Sequence, residues 1–70
     1  MKQNVGIFIK EYRNRRRLSQ TEFAQRAGVT QTIISNLERG QVKSLTTVNA
    51  TGIARAMGMT ISEFMERVEV

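Results

Sequence analysis

Ser19-Gln20-Thr21-Glu22 and Thr60-Ile61-Ser62-Glu63 repeat one local signal, a hydroxyl residue with a glutamate three positions later. In such a capping box the hydroxyl accepts from the backbone N–H of the fourth residue, while the glutamate reaches back to the N–H of the first. Each box therefore marks a helix start. Gly28, Gly40 and Gly58 supply matching stops, because a helix commonly ends on a residue in the left-handed region. With no Pro, repeat or low-complexity tract to suggest a linker, this punctuation predicts one domain over 1–70. Five helices are expected, at about 4–16, 20–27, 31–39, 45–57 and 61–68. Val5, Ile9 and Tyr12 mark the inner side of the first; Phe23, Ala24 and Ala27 mark that of the second. Thr30 is read as the cap of the third helix and Ser44 as the cap of the fourth. Gly52, inside the fourth, costs about 1 kcal/mol relative to Ala, which leaves two readings: close helix contact or a kink. No strand signal is seen, so the expected fold class is all-α.

A 70-residue chain has little core to spare, burying roughly 60% of its unfolded surface. There is no Cys to staple it and no His, so thiolate metal sites and the commonest general acid/base are missing. Paired carboxylates and glycine-rich phosphate loops are also missing, and the sequence reads as non-enzymatic, with no cofactor, metal or small-molecule ligand expected. The apolar run "VGIFI" is too short for a secretory signal, and no run approaches the ~20 residues of a membrane helix. A cytoplasmic protein with no membrane partner is expected.

Charge is unevenly spread. Residues 1–43 hold nine basic and three acidic side chains, whereas 44–70 hold two basic and three acidic ones. A basic front and a faintly acidic back suit a polyanion at one end, although a solvated charge excess would look similar.

The third predicted helix carries the most specific information. At about 100° per residue Ile34 and Leu37 share an inner side, and Thr32, Ser35, Asn36 and Arg39 fall opposite. Gln31 lies in the first turn, where a long side chain reaches past the helix end. Amides and hydroxyls match the neutral donor and acceptor arrays of base-pair edges in the major groove. A helix that only met water would more often carry Glu and Lys pairs there. The second helix, a turn containing Gly28 and this third helix form a helix-turn-helix candidate at about 20–39, with Ala24 small enough for a close crossing.

The stretch "LSQTEFAQRAGVTQTIISNLERG" resembles the helix-turn-helix of the Cro/phage-repressor (XRE-like) family. The similarity continues through "VGIFIKEYR" upstream and "IARAMGMTISEFM" downstream. The resemblance implies a compact five-helix, lambda-repressor-like DNA-binding domain. It further implies a sequence-specific transcriptional regulator, expected to be a repressor, that binds double-stranded DNA with the third helix in the major groove. Gln31, Thr32 and Asn36 match positions that read bases, with Ser35 beside them; Gln31 and Asn36 suit adenine and Thr32 a thymine methyl. Gln20 matches a residue that bonds a backbone phosphate and braces the recognition helix. Arg16 and Arg17, at the end of the first helix, and Arg39 and Lys43, after the third, are the expected phosphate contacts. Arg13 and Glu38 match an internal ion pair.

Two departures from the family pattern stand out. Ile33 occupies a place that is usually small or polar, and could meet a thymine methyl or pack on a neighbour. The segment from Gly40 to Ala54 is about one residue longer than expected and lacks the usual Pro. Ile61, Phe64, Met65 and Val68 form an apolar stripe, with Ile61 and Phe64 expected in the core. Met59, Met65 and Val68 are then the expected dimer interface, and a homodimer would read a palindrome with half-site centres about 10 bp apart. The same stripe supports an alternative, an antitoxin or protein-binding module that holds a partner such as a toxin.

Overall fold

The first structured residues, Gln3–Asn4, form a two-residue strand β1, and Asn4 then caps the helix that follows. The computed structural model describes residues 2–41 and 45–69. In chain order come β1, α1 (Val5–Arg16), α2 (Gln20–Ala27), α3 (Gln31–Glu38), α4 (Thr47–Ala56), α5 (Ile61–Arg67) and β2 (Val68–Glu69). The five helices answer to the predicted ones within two residues at each boundary. Both capping boxes are formed, at Ser19/Glu22 and Thr60/Glu63.

Two expectations need correction. The cap of α4 is Thr46, whose Oγ1 accepts from Asn49 N at 3.2 Å, and not Ser44, which lies outside the described residues. Strands also exist: β1 and β2 pair in parallel, Gln3 with Val68 and Asn4 with Glu69. The fold remains all-α in substance, with this short clasp joining its two ends.

Helices α1 to α4 end alike. In each, a residue one or two positions beyond the helix lies in the left-handed region and the next N–H returns to a carbonyl five residues back, for example Leu18 N to Arg13 O at 2.9 Å and Val29 N to Ala24 O at 3.0 Å. Three of these positions are glycine. The fourth is Arg17, at φ 56°, where a side chain is strained.

The core is built around Ile9, Phe23, Ile34, Leu37, Ile53 and Phe64. Tyr12 meets the Phe23 ring edge-on with centroids 5.9 Å apart and donates its hydroxyl to the Ala56 carbonyl at 3.2 Å. Two glycines allow backbones to touch. A Cβ on Gly52 would collide with the Ala27 carbonyl, so α4 packs directly on the end of α2, which resolves the choice at Gly52 in favour of contact. A Cβ on Gly6 would collide with the Leu37 carbonyl, fixing α1 against the end of α3. Together these contacts hold α2 and α3 from behind.

Candidate nucleic-acid interface

Between α2 and α3 the chain turns over only three residues. Gly28, at φ 71°, reverses it, Val29 packs against the core, and Thr30 caps α3 by accepting from Ile33 N at 3.2 Å. Ile34 and Leu37 are buried, as expected from their spacing, so the opposite side of α3 has to face out. Gln31 and Thr32 are exposed there, and Ser35 and Asn36 are half-buried. Ile33 is partly buried and packs against the core, the second of its two expected roles.

Arg13 and Glu38 form the expected ion pair. Nε donates to Oε2 at 2.7 Å and Nη2 to Oε1 at 2.8 Å, while Nη1 donates to the Leu18 carbonyl at 2.8 Å. The two side chains are 13% and 5% exposed, so water competes little. Burial alone would push the Glu38 carboxyl up; hydrogen bonds from Arg13 and Gln20, with the nearby charges of Arg13 and Lys10, outweigh it and leave the pKa lowered. Arg13 is correspondingly raised, first through its hydrogen bond to Glu38.

From this pair a chain of amides leads outward. Gln20 Nε2 donates to Glu38 Oε1 at 3.2 Å, and Gln31 Nε2 donates to Gln20 Oε1 at 2.8 Å. Gln20 therefore braces the first residue of α3 against its last. At the far end of the face Arg39 Nη2 donates to Asn36 Oδ1 at 2.8 Å, a bond the sequence reading did not anticipate. Sequence spacing of three on a helix could have suggested it.

The expected cationic residues are only partly assembled by these contacts. Arg16 and Arg17 are exposed, and Arg16 lies over the Tyr12 ring at 5.1 Å from its centroid, which limits where its guanidinium can point. Arg39 is exposed at the end of α3, and Lys43 lies outside the described residues.

The expected dimer residues separate. Met65 is exposed, Met59 is half-buried against the core, and Val68 is 2% exposed. Val68 is thus a core residue and has no surface to offer a second protomer. After Arg67 the chain leaves the helix for β2, so Val68 no longer continues the α5 stripe. No group of His, Cys, Asp or Glu suited to a metal occurs among the described residues, and no helix among them is long and apolar enough to cross a membrane.

A helix-turn-helix family model matches residues 9–64. The chain belongs to the helix-turn-helix family. It is a DNA-binding regulator of the Cro/phage-repressor type. No curated protein sequence matches it. Among solved structures it resembles a chain of the SinR protein/SinI protein complex, with 22% identity and a TM-score of 0.76 over 89% of this chain and 60% of that one. It also resembles SinR, the master regulator for biofilm formation, in complex with DNA, at 23% identity and a TM-score of 0.75, covering 87% of this chain and 97% of that chain. The DNA-binding domain of the P22 c2 repressor matches at 20% identity and a TM-score of 0.75, over 93% of this chain and 84% of that one. These structures share the fold.

Proposed function

We propose that this chain binds a specific sequence of double-stranded DNA as a homodimer and represses transcription from a palindromic operator. The observation that carries the reading is the outward face of α3, where Gln31, Thr32, Ser35 and Asn36 present amides and hydroxyls while Ile34 and Leu37 anchor the helix from behind. Gln31 and Asn36 read base edges, and Thr32 and Ser35 lie beside them. Gln20, Arg16, Arg17, Arg39 and Lys43 hold the phosphate backbone and set the register without reading sequence. The protein works in the cytoplasm without a cofactor. Selection of duplexes from a random pool, with the solution mass measured alongside, tests both parts: one enriched palindrome bound by a dimer is expected, and absence of any motif would refute the reading.

A second role, binding a partner protein, is favoured by Met65, a large apolar side chain 41% exposed on α5. One of the similar chains comes from a complex of two proteins, SinR and SinI. A copurifying protein released by Met65→Lys would support this role.

A further inference from the structure

Glu38 is the innermost link of the amide chain, and its chemistry dictates the direction of every bond after it. An ionised carboxylate accepts hydrogen bonds and donates none. The Gln20 atom facing Glu38 Oε1 must therefore be the Nε2 amino group, as its 3.2 Å contact requires. The planar amide then turns its oxygen the other way, toward Gln31. That oxygen accepts only, so Gln31 has to supply its own Nε2, which it does at 2.8 Å. Reversing either amide would set oxygen against oxygen. At the Glu38 contact, where that side chain is 5% exposed, little water is available to relieve the clash; the Gln31–Gln20 bond is exposed, and its direction is held by the Gln20 oxygen alone.

We propose that Glu38, a residue without access to the duplex, decides which end of the Gln31 amide faces the groove and thereby sets the base preference at that position. With one Nε2 hydrogen held by Gln20, Gln31 keeps its second N–H and its Oε1 for the base edge. That pair is complementary to adenine, whose N7 accepts and whose N6 donates. Without the carboxylate both amides turn freely, and Gln31 loses its fixed polarity. Glu38 is a positioning residue, and the inference rests on the base-reading role proposed above for Gln31.

The test compares base preferences selected from a random duplex pool by the wild-type chain and three variants. Gln31→Ala identifies the base pair that Gln31 reads. Arg13→Gln/Glu38→Gln replaces the ion pair by two neutral amides that can bond to each other, so no buried charge is left alone. Preference at the Gln31 base pair is expected to fall by about fivefold or more in this variant, with the other positions unchanged. A purely structural role would weaken all positions alike. If that double variant does not fold, Gln20→Met cuts the same chain while sparing the ion pair, and the same position-specific loss is expected. Retention of the preference in a folded variant would overturn the inference while leaving the base-reading role intact. Absence of any motif for the wild-type chain would instead remove the base-reading role, and the inference with it.

Discussion

Arg13 and Glu38 lie 25 positions apart and meet through two parallel hydrogen bonds of 2.7 and 2.8 Å, joining the last turn of α1 to the last residue of α3. Removing one partner strands the other charge where water hardly reaches. Arg13→Met or Glu38→Leu alone should cost about 3–5 kcal/mol, whereas the double change Arg13→Met/Glu38→Leu should recover most of that loss. Urea denaturation of the four proteins closes the cycle. A coupling energy under about 0.5 kcal/mol would mean that the pair behaves like an exposed one.

Acid should unfold the protein partly through the same carboxylate. Since the Glu38 pKa is lowered in the folded state, its contribution is complete above the ordinary carboxylate value and disappears as pH falls through the depressed one. Glu22 and Glu63 are also lowered, first by the backbone N–H groups of Ser19 and Thr60. Stability should therefore be flat near neutrality and fall below about pH 4.3. Urea midpoints measured against pH should show a shallower acid limb in Arg13→Gln/Glu38→Gln than in the wild type.

Arg17 should reveal a conflict between stability and binding. It occupies the left-handed position that glycine fills at the ends of α2, α3 and α4. Arg17→Gly should stabilise the fold by about 1 kcal/mol through relief of that strain. If Arg17 meets a phosphate, the same change should weaken every duplex alike and reduce the salt dependence of binding by about one ion. Thermal melts and binding titrations over a salt series measure the two effects separately.

Gly6 and Gly52 should defy helix propensity. On an open helix, Gly→Ala stabilises by about 1 kcal/mol. Here the added methyl meets the carbonyl of Leu37 or Ala27, so Gly6→Ala and Gly52→Ala should each destabilise, by about 1–3 kcal/mol as for an overpacked core. Denaturant midpoints above the wild-type value would contradict the close backbone approach.

Much of this architecture is legible in the chain because its signals are local. A capping box spans four residues, and the inward spacing of Ile34 and Leu37 leaves Thr32, Ser35 and Asn36 outside. The Arg13–Glu38 bond, by contrast, came through resemblance, since nothing local joins positions so far apart. What escaped depends on tertiary contact. A strand of two residues has no periodicity to detect, so β1 and β2 were invisible and Val68 read as part of the α5 stripe. Ser44, Thr46 and Thr47 offer three similar hydroxyls around the start of α4, and spacing alone does not choose among them; Thr46 is the one that accepts from Asn49 N. The collision sites at Gly6 and Gly52 exist only once α1 and α4 have docked. The link from Glu38 through Gln20 to Gln31 likewise joins three elements, and its direction follows from protonation state rather than spacing.

The claim that the outer face of α3 reads base pairs is tested most directly by selecting duplexes with the wild-type chain and Gln31→Ala at about 0.1 M salt. The account predicts one enriched motif for the wild type and a loss of about 1–3 kcal/mol in discrimination at a single base pair for the variant. An equal loss on every sequence, or no motif at all, would contradict it.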